Sequence, residues 1–333
     1  MNPHKRTGFL YHPDYLKHDT GYGHPEHSQR LVAILEAVRN SDIWNDLILI
    51  EPTPATIDQI KYIHDSRYVE AVKQMCDSGG GYIDYDTPIS AESFNAALLA
   101  AGAMLRGIDA IIAREIDNAF ALVRPPGHHA TPQIGMGFCI FNNVAIAARY
   151  IQREHNLPKI LIIDWDLHHG NGTQDAFYDD PTVFYFSIHQ SPFYPGTGRS
   201  DETGMEAGIE STLNFPIRAG TRSEDYIEIF EQQLKPAALE FQPDFILISA
   251  GFDAHQLDPL GGLCMTEEGF GILTDIACEI ANTTCNGRLV SVLEGGYSLD
   301  GLSKSVVVHL KHLTSSAEVL NEMKDPRDKE IED

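Results

Sequence analysis

Five short, nearly unbroken apolar runs constrain this chain more than anything else in it: residues 119–123, 160–163, 183–188, 245–248 and 289–293. A strand with one wet face alternates apolar and polar residues, whereas an unbroken run suits a strand covered on both faces. Stretches of helical character lie between the runs, among them 93–112, 142–154 and 223–241. Strand and helix taking turns imply a parallel sheet between two helical layers, a three-layer α/β/α architecture. No internal repeat, low-complexity stretch or long linker breaks the alternation. The pattern predicts one domain over 1–320 and a mixed-charge, frayed tail over 321–333.

The segments just after these runs are more informative than the runs. The first run leads into Arg124-Pro-Pro-Gly-His-His-Ala130, the second into Asp164-Trp-Asp-Leu-His-His-Gly-Asn-Gly172, and the third ends in Ser187-Ile-His189. The fourth leads into Ser249-Ala-Gly-Phe-Asp-Ala-His255 and the fifth into Glu294-Gly-Gly-Tyr297. Ligands of open parallel sheets bind outside the carboxyl ends of the strands, so these five segments are expected to converge on one site.

Asp164, Asp166 and His168 stand at i, i+2 and i+4 across a strand exit, a period that turns all three to one side. Asp and His are ligands for a divalent ion of the zinc type, and a catalytic site of that kind takes three protein ligands and keeps one position for water. Asp166 and His168 supply two, and Asp253, at a comparable strand end, is the candidate third. Two carboxylates would neutralise a dication and leave a centre that polarises a carbonyl and acidifies water. The plain alternative, that such residues only cap turns, suits any one of them but not three strand ends together. His128 and His129 read as acid/base groups. Tyr297, after two glycines, reads as a phenol able to donate to an oxyanion, although alone it would pass for an ordinary loop aromatic. The chemistry is metal-assisted hydrolysis of an uncharged amide or ester. No Gly-x-Ser-x-Gly elbow points to a covalent route, and the motifs hold too few carboxylates for a two-metal phosphoester hydrolase.

The chain sets 24 Lys plus Arg against 48 Asp plus Glu, a formal charge of −24 over 333 residues. That balance argues against direct nucleic-acid binding, which needs a basic face, and admits basic partners. Cys76, Cys139, Cys264, Cys278 and Cys285 are odd in number, scattered and without a C-x-x-C pair, so neither a disulfide framework nor a thiolate zinc cluster is expected. Lys5 and Arg6 have no long apolar run behind them, and no membrane span is expected anywhere; the predicted location is cytoplasmic.

Taken together the segments resemble the zinc-dependent histone deacetylase family, in particular its bacterial, class II-like amidohydrolases. The matching pieces are His24-Pro-Glu26 with Arg30, Asp86-Thr-Pro88, Arg124 to Ala130, Gly137-Phe-Cys139 with Asn142-Asn143, Asp164 to Gly172, Tyr194-Pro-Gly196, Ser249 to Gly262 and Glu294 to Tyr297. The resemblance implies an arginase/deacetylase-like fold with an eight-stranded parallel sheet. It implies Asp166, His168 and Asp253 as zinc ligands, His129 as general base and acid, His128 paired with Asp164 as its electrostatic partner, and Tyr297 as the oxyanion donor. It matches Phe138 and Tyr194 to the walls of an acyl-lysine tunnel, Gly137 to its floor, Leu260 and Asp86 to its rim, and Arg30 to an arginine beside an internal acetate pocket. A potassium ion beside the zinc would use Asp164, Ser187 and the main-chain carbonyls of Asp166, His168 and Ile188.

Departures from the family pattern sharpen this. Asn171 stands where class I members carry an aspartate paired with the second histidine, which implies a less strongly polarised His129. Tyr297 is kept where weakly active class IIa proteins have a histidine, and Leu260 stands where polyamine-selective relatives have a glutamate. The expected substrates are therefore acetylated lysine in peptides or proteins, with small acetylated amines such as acetylpolyamines as the alternative. Asp-Asp-His would also take ferrous iron. A catalytically dead acyl-lysine reader would need a lost ligand, His or Tyr, and none is missing. An arginase-type ureohydrolase would need a two-metal cluster.

Overall fold

The computed structural model describes residues 5–315. Ten strands occur in it: β1 (Thr7–Leu10), β2 (Leu47–Ile50), β3 (Gly80–Asp84), β4 (Thr87–Ser90), β5 (Asn118–Ala121), β6 (Ile160–Asp164), β7 (Val183–Gln190), β8 (Thr212–Ile217), β9 (Phe245–Ala250) and β10 (Leu289–Leu293). Eight form one sheet in the order β2-β1-β5-β10-β9-β6-β7-β8, with every neighbouring pair parallel. β3 and β4 make a separate antiparallel hairpin.

All five apolar runs are strands, and β5, β6, β7, β9 and β10 are buried along their whole length, as a sheet covered on both faces requires. Their ends differ from the expected ones. β5 stops at Ala121 rather than residue 123, β9 runs on to Ala250, and β7 runs on to Gln190, which puts His189 inside a strand. β1 and β8 carry no such run, and β2, an unbroken Leu-Ile-Leu-Ile, is not one of the five. β1 is four residues long, β2 is an edge strand with Ile48 and Leu49 exposed, and β8 holds Asn214 and Pro216. Pro216 is tolerated because β8 lies at the other edge, where one side of the strand has no ladder to complete.

Helices Gln29–Arg39, Leu299–Thr314 and Glu267–Thr284 pack side by side in one layer, and Ser93–Ile112 packs on Asn143–His155 in the other. Asn142 is the cap of its helix rather than its first residue, its side chain accepting from Ala145 N. The expected helix over 223–241 is a helix interrupted by a π-turn at Phe230–Leu234, just before Pro236. By length and hydropathy Ser93–Ile112 would suit a membrane span, but 72% of its apolar window is buried inside the protein, where its alanines let it lie close to its neighbours. The tail over 321–333 lies outside the described residues.

Candidate active site

The five strands whose exits carry the polar motifs are neighbours at the centre of the sheet, β5-β10-β9-β6-β7. Their carboxyl ends therefore meet, and they meet out of chain order. β6 pairs with β9, which sets the Asp164 to Gly172 segment beside Asp253, and β10 pairs with β5, which sets Tyr297 beside the segment of His128 and His129.

Asp166, His168 and Asp253 each offer one ligand atom, and the three atoms lie within 4.8 Å of one another. His168 Nδ1 is 3.1 Å from Asp166 Oδ1 and 3.1 Å from Asp253 Oδ2. Four-coordinate zinc, with bonds of about 2.0–2.2 Å, holds its ligands about 3.4 Å apart, close to both His168 separations, so this donor set suits such an ion. The remaining carboxylate oxygens are fixed by the main chain: Gly295 N donates to Asp166 Oδ2 and Leu167 N to Asp253 Oδ1, both at 2.8 Å. Gly295 is glycine for a steric reason, since a Cβ there would fall 2.2 Å from Asp253 Oδ2.

The electrostatics are those of a cation site. Burial and the Asp166 charge push Asp253 up to about 7, whereas at Asp166 burial is outweighed by His128 and His168, which hold it well below the usual carboxylate range. Burial opposes a charge on His168, yet Asp166 and Asp253 lift it to about 9. The pull that keeps a proton there is one a dication would satisfy.

The adjacent histidines have opposite characters. Burial opposes a charge on His128, but Asp164 and Asp166 overcome it and raise the imidazole to about 10; Nδ1–H donates to Asp164 Oδ2 at 3.0 Å. At His129 burial and the charges of His128 and His168 push the same way, well below the ordinary histidine value. Its Nδ1 bonds the side-chain oxygen of Asn171 at 2.8 Å, and the Asn171 amide nitrogen points at Met136 Sδ, 3.5 Å away. Asn171 thus presents an acceptor, Nδ1 of His129 carries the proton, and Nε2 is left with its lone pair.

Aromatic side chains enclose this centre. Tyr194 stands edge-on to His129 with ring centroids 5.1 Å apart, and Phe138 edge-on to Tyr297 at 5.9 Å. Gly137 lies against both His129 and Tyr194: its φ is +54°, and a Cβ would fall 2.4 Å from the His129 ring and 3.0 Å from that of Tyr194. Burial holds the Tyr297 phenol well above its usual value, so it remains a donor at neutral pH. Asp86 and Leu260 are half-buried, and Ser187, inside β7, bonds His189 Nδ1 at 2.9 Å.

Arg30 turns out to be wholly buried and fully engaged. It donates to Gly296 O and Glu294 O, both at 2.6 Å, and to Glu26 Oε1 at 3.0 Å, with Tyr297 stacked 5.0 Å from its guanidinium. Sequence reasoning named no role for three residues around it. Glu26 is clamped between Arg30 and Arg124, whose Nη2 donates to Glu26 Oε2 at 2.8 Å. Glu294, raised to about 7 by burial, accepts from Gly127 N at 2.6 Å and His128 N at 3.2 Å and so holds the histidine segment. Glu294, His128 and Cys139 also lie within metal-ligand distance of one another, but the Glu294 oxygens are already occupied by these N–H groups and by Ser249 Oγ at 3.2 Å. These residues lie in the quoted motifs, yet no pattern in one sequence distinguishes a buried clamp from a surface charge.

The geometry agrees with what the chain is similar to. The histone deacetylase domain model matches residues 24–313. A probable deacetylase of Archaeoglobus fulgidus is 42% identical over 297 residues, covering 89% of this chain and 82% of that protein. The histone deacetylase-like amidohydrolase of Pseudomonas aeruginosa is 36% identical over 275 residues, covering 82% of this chain and 72% of that protein. The crystal structure of the HDA15 HD domain superposes with a TM-score of 0.87 at 36% identity, covering 92% of this chain and 90% of that one. An eight-stranded parallel sheet flanked by helices, a convergent Asp-His-Asp cluster and this match together make the chain a member of the histone deacetylase family, a hydrolase acting on amides.

Proposed function

We propose that this chain removes the acetyl group from N6-acetyl-lysine in peptides or proteins, with a zinc-class dication at Asp166, His168 and Asp253, over one domain spanning 1–320. The observation that carries this reading is the meeting of that donor set with a neutral His129 and a protonated Tyr297. When bound, the ion polarises the acetyl carbonyl and acidifies water. His129 Nε2 takes the proton of the attacking water, and His128, held as imidazolium by Asp164, stabilises the negative charge that develops. Tyr297 donates its phenol proton in a hydrogen bond to the oxyanion. His129 then passes its proton to the departing lysine amine.

Phe138 and Tyr194 offer apolar walls to the lysine methylenes, and the neutral amide enters without burying a charge. In this reading Asp86 and Leu260 form the rim, and Arg30, stacked on Tyr297, is the arginine beside an internal acetate pocket. A potassium ion seated by Asp164, Ser187 and the carbonyls of Asp166, His168 and Ile188 is part of the same reading. Among the described residues no N–H or O–H donates to the carbonyls of Asp166 or His168, which leaves both oxygens available to a cation. A cytoplasmic location agrees with five cysteines that are all free thiols.

The test is kcat/KM of the zinc-loaded protein on an acetyl-lysine peptide against N-acetylputrescine, each with and without a chelator. A preference for the peptide that disappears on chelation supports the reading. A preference for the diamine would instead make this a small-molecule amidohydrolase.

A further inference from the structure

Asp258 carries a carboxylate that is only 8% exposed and has no basic side chain within ion-pair distance among the described residues. Its hydrogen bonds all come from the main chain. Oδ1 accepts from Leu260 N at 3.0 Å, and Oδ2 accepts from Tyr297 N at 2.7 Å and Ser298 N at 3.2 Å. A nearly buried, unpaired carboxylate is costly unless its hydrogen bonds hold something in place. Here they tie the segment that follows Asp253 to the segment that follows β10.

Tyr297 needs such a tie. It follows Gly295 and Gly296, the second at φ +120°; Asp166 holds Gly295 N and Arg30 holds Gly296 O, but neither bond reaches Tyr297 itself. Its ring stands 5.0 Å from the Arg30 guanidinium and edge-on to Phe138 at 5.9 Å, apolar and stacking contacts without directional hydrogen bonds. Among the described residues its phenol bonds to no protein group, so of the polar groups of Tyr297 itself it is the N–H, bonded to Asp258, that ties the residue to the fold. Ser298, held by the same oxygen, caps helix Leu299–Thr314 and anchors that oxygen to a rigid element.

We infer that Asp258 is a positioning residue for Tyr297: it sets where the phenol stands over the acyl carbonyl without touching substrate. This rests on the proposed role of Tyr297 as oxyanion donor. A donor displaced by about 1 Å loses most of its effect on the transition state while substrate binding is largely kept. The consequence is a loss in kcat that exists only while the phenol is present.

A double-variant cycle on the zinc-loaded full chain tests this, with kcat and KM on an acetyl-lysine peptide, zinc content and thermal midpoint read for each protein. Asp258→Ala should lower kcat by about tenfold or more at unchanged zinc content. Asp258→Asn, which keeps an acceptor oxygen, should lose less and provides a folded variant if Asp258→Ala does not fold. In the Tyr297→Phe background either substitution should change kcat less than about twofold, because the group being positioned is gone. Equal fold-losses in both backgrounds, or full kcat in Asp258→Ala, overturn the proposal and leave the oxyanion reading standing. Full turnover in Tyr297→Phe alone overturns that reading, and this proposal with it.

Discussion

His129 Nδ1 lies 2.8 Å from the side-chain oxygen of Asn171, a neutral acceptor where a carboxylate would have supplied charge. Asn171 fixes the tautomer and its hydrogen bond lifts the ring, but burial and the charges of His128 and His168 outweigh it and take His129 well below its ordinary value. A base with a lowered pKa is already deprotonated in mildly acidic solution. The acid limb of kcat/KM should therefore lie below pH 6.5, and the rate should hold until His128 loses its proton at about 10. Asn171→Asp should reverse part of this. A carboxylate at that distance favours the imidazolium, and the acid limb should move up by about one pH unit. A pH series on both proteins checks it, and an unmoved limb would remove His129 from the role of base.

Tyr297→Phe should keep the dication and lose turnover by about 100-fold, the scale of losing one oxyanion donor. The ring contacts with Phe138 and Arg30 do not depend on the hydroxyl, so the thermal midpoint should hardly change. Elemental analysis, single-turnover kinetics and a melting curve on one preparation separate the two effects.

Asp253→Ala should abolish tight dication binding, since two ligands remain of three. Chelation of the unaltered protein should lower its melting temperature and re-addition of zinc should restore it. Binding to the folded state alone stabilises by about 4 kcal/mol when the ion is at a thousand times its dissociation constant. A melting temperature indifferent to chelator would mean that no ion is held at this cluster.

Glu26→Gln should destabilise the fold by about 3–5 kcal/mol, the usual cost of breaking a buried pair by removing one partner. It leaves the wholly buried Arg30 and Arg124 without their shared carboxylate. Burial opposes the Glu26 charge, but Arg124 and Arg30 outweigh it and hold the group below its reference value of 4.5. A carboxylate depressed on folding contributes stability above its unfolded value and loses it as pH falls through the folded one. The unaltered protein should thus weaken progressively below pH 4.5, and Glu26→Gln should show a shallower decline. Urea titrations at several pH values measure both.

Much of the fold was legible because burial on both faces leaves a signature in the sequence. The runs at β6 and β10 are apolar in every or nearly every residue, since neither face meets water. At the edges sequence and burial part company: β2 is apolar throughout yet keeps Ile48 and Leu49 in the open, and β8 accepts Asn and Pro. The span-like helix Ser93–Ile112 shows the same limit from the other side, because hydropathy is alike for a helix in lipid and a helix in a core.

The sequence by itself determined which residues could do chemistry. Asp166, His168, Asp253, His128, His129 and Tyr297 are marked by type and by their place just after an apolar run, and ligands gather where parallel strands end. Only the tertiary structure decided which of them meet and what state each is in. Chain order runs β5, β6, β7, β9, β10, whereas the sheet runs β5-β10-β9-β6-β7, so the partners of β6 and β5 at the site come from strands late in the chain. Neighbouring histidines identical in type became one charged and one neutral group because Asp164 faces the first and Asn171 the second. The clamps Glu26, Glu294 and Asp258 could not be recognised in advance for the same physical reason. A carboxylate's role is set by burial and by the donors that reach it across the fold, and neither is a property of the residue or its neighbours in sequence.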